Sequence, residues 1–179
     1  VWVDSVGTDA DYALRLTNSM LTNMESIGLL SQSGHIEGYN NLISNCGQAC
    51  GYFALGGNIQ MHLSTFANFS TQGSGLRQFP TVYVNDWYEA ANGNVQVRPF
   101  VGVTEFRNCI VAGNNASLNE FSEFIVDLWD PDMYPSPLWT ASAVQHQMDM
   151  FPDNILDDQT SVNSVPPFVN VFDEDFRLE

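Results

Sequence analysis

The sequence predicts an all-β chain that lays one short supersecondary unit on the next, a parallel β-coil, and three observations carry this. A six-residue phrase recurs at Asn18-Ser-Met-Leu-Thr-Asn23, Asn40-Asn-Leu-Ile-Ser-Asn45, Leu63-Ser-Thr-Phe-Ala-Asn68 and Asn108-Cys-Ile-Val-Ala-Gly113, with starts 22, 23 and 45 residues apart. A period of about 20–50 residues is the mark of stacked repeats, and the last gap reads as two periods with one copy blurred. Each copy holds an apolar pair between Asn or small residues, the pattern of a short strand bounded by turns. Glycines at 28, 34, 51 and 57 fall at the joints, where a positive φ or a close approach between turns is needed.

The elements follow in order. Tyr12 to Thr17 leads into the first phrase, and Leu14 and Leu16 alternate with polar residues as in a strand with one face inward. Gly34-His-Ile-Glu-Gly and Gly51-Tyr-Phe-Ala-Leu start further segments, and Ile59, Met61 and Leu63 alternate again. Parallel stacking at about 4.8 Å would align the phrase Asn residues in columns. There Asn tolerates a left-handed bend, and its amide can bond to the next Asn. Arg77-Gln-Phe-Pro-Thr-Val-Tyr-Val84 reads as a strand, and Asn85 to Pro99 as a polar insertion, a hairpin turning at Asn92-Gly93. Val101 to Phe106 resumes the coil, and Phe124 to Trp129 is another strand. Asp130 to Pro137 is a second loop insertion, since its prolines forbid regular structure. Leu138 to Met150 fits a short helix or an extended cover, and Pro167 to Asn170 with Asp175 to Leu178 reads as the last turn of the coil.

Length and composition suit one domain over residues 1–179, with an apolar fraction of 44% and no run long enough to insert in a membrane. The opening Val1-Trp-Val-Asp lacks the features of a signal peptide, so the chain is expected to be the C-terminal part of a longer protein, or a mature or trimmed product. Exposed ends of such a coil tend to self-associate. Twenty-one acids face five Arg and no Lys, a net charge of −16. That balance repels phosphate backbones and argues against nucleic acid as a partner. It fits a solvated extracellular surface or, alternatively, cation binding.

The cysteines are Cys46, Cys50 and Cys109. Cys46 and Cys50 lack the partners of a zinc site, and a disulfide between them is an open alternative. Cys109 occupies the phrase position held elsewhere by Ser19, Asn41 and Ser64, so a small stacked side chain explains it.

Asn40-Asn-Leu-Ile-Ser-Asn-Cys-Gly47, Gly56-Gly57 with His62 and Thr65-Phe-Ala-Asn68, Phe106 with Asn108-Cys-Ile-Val and Gly113, and Pro167-Phe-Val with Asp175-Phe-Arg-Leu178 together resemble a known pattern. It is that of the secreted right-handed parallel β-helix repeat proteins of the Bacteroidetes type, a family of mostly unknown function. The resemblance covers most of the chain from about Leu14 onwards, leaving only the stretch near Leu138–Met150 unplaced. It implies a right-handed parallel β-helix solenoid with coils of about 22 residues and two loop insertions, and an extracellular or bacterial cell-surface location. The chain departs from the pattern at Leu63, where the family often has Cys, and it stops at Glu179 before the family's closing Ser-Pro coil.

A lyase on such a scaffold would use Arg or Lys as base. Here Arg77 and Arg98, flanking the first insertion near Asp86 and Glu89, are the candidates for contact with an anionic substrate, while Arg107 beside Glu105 reads as a surface ion pair. A hydrolase needs two converging carboxylates, for which Asp86, Glu89, Glu123 and Asp127 are the catalytic candidates. Asp130 and Asp132 are the candidate ligands should calcium bind, although neither matches the EF-hand spacing. No other cofactor is indicated. Sugars stack on aromatic rings carried by loops, and Trp87, Tyr88, Trp129 and Tyr134 are placed for this, with Trp139 close by. The alternative for these rings is to cover the flank or cap its end. The expected function is a non-enzymatic extracellular module for surface attachment, assembly or binding of a polysaccharide or cell-surface glycan. The alternative is the terminal part of a carbohydrate-active enzyme, a polysaccharide lyase or glycoside hydrolase.

Overall fold

The computed structural model describes residues 1–4, 13–69, 77, 79–100, 104–114, 122–130, 139–144, 159–162, 168–170, 173 and 175–178. The fold is all-β, and its strands are shared in rotation among three parallel sheets. The first circuit is β1 (Trp2–Asp4), β2 (Leu14–Thr17) and β3 (Met20–Thr22), one strand for each sheet. The second is β4 (Leu29–Gln32), β5 (His35–Tyr39) and β6 (Leu42–Ser44), and the third is β7 (Gly51–Ala54), β8 (Asn58–His62) and β9 (Thr65–Asn68). The fourth begins with β10 (Val82–Asn85) and leaves the sheets for a hairpin, β11 (Trp87–Glu89) and β12 (Val95–Val97). It then returns as β13 (Glu105–Arg107) and β14 (Ile110–Gly113). β15 (Phe124–Asp127), β16 (Trp139–Thr140) and β17 (Ala143–Val144) form the fifth, and β18 (Ser161–Val162) pairs with β17. Among the described residues, no helix is long and apolar enough to cross a membrane.

The 45-residue gap is therefore one circuit and not two. β8 pairs directly with β13, Met61 opposite Phe106, and β9 with β14, Phe66 opposite Val111. The surplus length goes into the connection before β10 and into the hairpin, so no phrase is blurred. The hairpin itself forms as its sequence predicts: Trp87 faces Val97 across an antiparallel pair, and Gly93 at the turn has φ 79°. The stretch around Leu138–Met150 also differs from expectation, since Trp139–Thr140 and Ala143–Val144 are regular strands of the second and third sheets.

The repeat phrase marks one corner, between the second and third sheets. Asn18, Asn40, Leu63, Asn108 and Ala141 stand there in column with φ between 45° and 54°. In this left-handed region Asn is favoured because its short side chain can bond locally. Asn40 Nδ2 donates to Asn18 Oδ1 at 2.8 Å, the expected amide ladder. The next column is Ser19, Asn41, Ser64, Cys109 and Ser142, whose side chains take the backbone amide of the preceding circuit. Ser19 N donates to Asn41 Oδ1 at 3.1 Å, Asn41 N to Ser64 Oγ at 3.2 Å, and Cys109 N to Ser142 Oγ at 2.9 Å. Cys109 is thus a rung of a polar ladder, and burial pushes its thiol pKa up to about 12.

Inward side chains from all three sheets fill one core, in which Phe53, Phe66 and Phe106 meet edge to face at centroid distances of 5.2–6.4 Å. The last two strands, β19 (Phe168–Asn170) and β20 (Asp175–Leu178), are not a further circuit. They pair with each other in antiparallel fashion, and Phe168 and Phe176 pack with Phe69 over Ala67 and Ala112 of the third sheet. Two alanines side by side leave a flat seat for these rings.

Candidate functional site

Register along the first sheet assembles the site. Tyr52, Tyr83 and Ile125 stand opposite one another on β7, β10 and β15, alternating with the buried Phe53, Val82, Val84 and Phe124. A period of two sends the tyrosines to the outer face. Their rings stack at 4.9 Å, and Phe79 meets Tyr52 edge-on at 6.3 Å. Two residues further on, Asn85 stands opposite Asp127. Trp87 follows β10 and Trp129 follows β15, so the same pairing brings both indoles together with centroids 5.8 Å apart.

Hydrogen bonds hold this cluster. Trp87 Nε1 donates to Asp127 Oδ1 at 3.0 Å and the Tyr83 hydroxyl to Asp127 Oδ2 at 2.7 Å. Asn85 Nδ2 donates to Trp87 O at 2.7 Å, fixing the entry to the hairpin. Asp86 is buried and accepts the Trp129 amide on Oδ1 at 2.8 Å, while Arg98 N donates to Asp86 O at 2.6 Å. Burial, and then the Asp127 carboxylate, push the phenol pKa of Tyr83 far up, and the same two causes raise that of Tyr52. Trp129, 54% exposed, presents the open indole of the group.

The structure therefore joins Asp86, Trp87, Asp127 and Trp129 of the residues singled out from sequence, and engages the other described ones elsewhere. Arg77 is directed not towards Asp86 and Glu89 but into the interior. Its Nη2 donates to both oxygens of Glu123, at 3.0 and 2.8 Å, with the two side chains only 5% and 2% exposed. Thr81 adds its amide, at 3.2 Å, and its hydroxyl, at 2.6 Å, to Glu123 Oε2. Arg98 reaches Ser33 Oγ at 3.4 Å. Tyr88 donates to Gln96 across the hairpin at 2.7 Å, and Glu89 is exposed near its turn. Glu105 pairs with His62 at 2.8 Å instead of with Arg107. Asp130 is exposed, and Asp132 and Tyr134 lie outside the described residues. No trio of His, Cys, Asp or Glu suited to a metal ion occurs among the described residues.

Sequence reasoning missed Tyr52, Tyr83 and Phe79. The alternation in Gly51-Tyr-Phe-Ala54 and Val82-Tyr-Val-Asn85 was the available signal, since a residue next to a buried Phe or Val in a strand must face out. No family model, curated protein or solved structure matches the chain.

Chemically, the carboxylates act here as acceptors for internal donors. A carboxylate has about four lone-pair sites, and Asp127 spends one on each of its two donors, which leaves capacity for hydroxyls approaching from solvent. The stacked tyrosines cover each other's faces, so the ring surface open to a ligand is chiefly that of Trp129.

Proposed function

We propose that the chain is a right-handed parallel β-helix serving as a non-enzymatic extracellular module that binds glycans through the flank formed by Trp87, Asp127 and Trp129. The observation carrying this reading is the exposed Trp129 indole, braced by Trp87 beside a carboxylate fixed by Tyr83 and Trp87. Sugar C–H faces stack on indole while their hydroxyls reach the carboxylate edge, the usual pairing of apolar surface with a few polar groups. Asp86 and Glu123, engaged inside the protein, support binding over hydrolysis as the role of this flank.

A glycan array followed by calorimetry tests the reading, alongside assays for released reducing ends and unsaturated uronates. Binding without turnover is expected, with Trp129→Ala weakening it at least about tenfold, near 1.4 kcal/mol. Turnover by the wild type, or binding indifferent to Trp129→Ala, would overturn it.

A further inference from the structure

An open groove of about 540 Å³ lies beside the corner between the second and third sheets, across the core from the first sheet and the flank of Trp129. That volume falls within the range of about 300–1,000 Å³ usual for small-ligand sites. Its floor is the outward column Met20, Leu42 and Thr65 of the third sheet, which alternates with the inward Leu21, Ile43 and Phe66. One wall is the corner itself, Asn18, Asn40 and Leu63. The other is the last hairpin, whose Phe176 packs beside Leu42 and whose Asp175 and Arg177 complete the lining. Leu63 holds φ 50° at 46% exposure, although its column neighbours Asn40 and Asn108 are the residue type that this left-handed corner selects. Backbone strain of this kind gathers at ligand sites, and here it places an apolar surface in the same groove as Met20, itself 70% exposed. Leu63 also interrupts the amide ladder. Asn40 Nδ2 donates to Asn18 Oδ1 at 2.8 Å, but Leu63 has no amide to offer Asn40 Oδ1, which is left as an open acceptor on an exposed side chain. On the hairpin, Arg177 Nε donates to Asp175 Oδ1 at 2.7 Å, so its charge is already met while Nη1 keeps its N–H donors.

We propose that this groove binds a neutral saccharide as a second site separate from the Trp129 flank, with the ligand class, though not the place, resting on the proposed glycan binding. Sugar C–H faces lie on Met20 and Leu63, while adjacent hydroxyls meet Asn40 Oδ1, Asn18 Nδ2 and the remaining Arg177 donors. Apolar contact with a few orienting polar groups is the usual composition of a small-ligand site. An acidic saccharide is disfavoured, because Asp175 neutralises Arg177 and the chain carries a net charge of −16. The groove and the flank lie on opposite sides of the core, so one molecule would bridge two glycan chains and gain avidity on a surface presenting many.

The test follows the chain by NMR, with isotope-labelled Met and Leu methyls and Trp indoles, during titration with short neutral oligosaccharides of cellulose, mannan and xylan. Oligogalacturonate is the charged comparison. Saturable shifts of the Met20 and Leu63 methyls with at least one neutral oligosaccharide are expected, and they should persist in Trp129→Ala. Read at the Met20 methyl, Leu63→Asn should weaken binding at least about tenfold, because it removes the apolar contact and its amide engages Asn40 Oδ1. Read at the Leu63 methyl, Met20→Glu should weaken binding as well, at a position exposed enough to leave the fold intact. Shifts of the Trp129 indole alone would overturn the groove and leave the flank, and shifts at the groove alone would do the reverse. Shifts at neither would overturn both. Tighter binding of oligogalacturonate, or affinity unaltered in Leu63→Asn, would also overturn the neutral-saccharide groove.

Discussion

Replacing Glu123 by Gln should unfold the protein far more readily than the loss of one surface charge would suggest. Glu123 receives four hydrogen bonds, two from Arg77 and two from Thr81. The amide of Gln keeps one acceptor but turns an NH2 towards a guanidinium or towards the Thr81 amide, donor against donor. The Arg77 side chain is only 5% exposed, so water cannot take the place of the lost carboxylate. Breaking a buried pair by removing one member costs about 3–5 kcal/mol. For a chain of this size that is a fall in Tm of about 6–20 °C, at roughly 2–4 °C per kcal/mol. The internal control is Glu37→Gln, opposite Arg15 at 2.8 Å, where side-chain exposures of 66% and 40% mean that water shares the charges. That change should cost no more than about 1 kcal/mol. Urea and thermal denaturation followed by circular dichroism provide both numbers. The double change Arg77→Met/Glu123→Leu should be milder than Glu123→Gln alone, because it leaves no orphan charge. Should Glu123→Gln fall within about 1 kcal/mol of Glu37→Gln, the pair is not a buried structural unit and the reasoning fails.

At Leu63 the left-handed corner is occupied by a branched side chain with φ 50° and 46% exposure, between Asn40 and Asn108 in the same column. Left-handed backbone costs an ordinary residue about 1–2 kcal/mol, so Leu63→Asn should raise stability by about 1 kcal/mol; a lowered urea midpoint would contradict this. Alkaline stability should decline through Tyr83. Its folded pKa lies above the unfolded value of about 10, so the unfolded chain gives up the proton first. Stability from this group is complete below about pH 10 and is lost as pH rises towards the folded pKa. Tyr83→Phe should flatten that part of the pH profile and cost about 1 kcal/mol near neutrality for the lost bond to Asp127; an unchanged alkaline slope would refute it.

The circuits were legible because a left-handed corner selects Asn, and Asn18, Asn40 and Asn108 announce it. Where packing tolerates another residue the signal disappears: Ala141 has the same φ without the amide, and Trp139–Thr140 and Ala143–Val144 are too short to show alternation. The doubled gap misled because an insertion of about one period has the same length as a missing copy. Phe168 and Phe176 carry an inward alternation like that of a coil strand, and only the seat formed by Ala67 and Ala112 shows which face receives them. In the site, the loop tryptophans could be read as a class. Their meeting could not, because it depends on β10 pairing with β15 across an intervening stretch of chain.

The same pairing explains why acids clustered near the insertions need not signify catalysis. A circuit that leaves the sheet for a hairpin must reconnect backbone amides that no neighbouring strand can satisfy, and an unsatisfied buried donor costs about 1–3 kcal/mol. Asp86 takes the Trp129 amide and Glu123 the Thr81 amide, each at a place where the regular ladder ends. Asp127 does the same for the half-buried indole N–H of Trp87 and phenol of Tyr83. Carboxylates placed by such needs serve first as acceptors for internal donors. Removing Asp127 should accordingly loosen the Trp87 and Trp129 pair before it alters any chemistry, which makes the tryptophan fluorescence of Asp127→Asn the sharpest separation of a positioning role from a catalytic one.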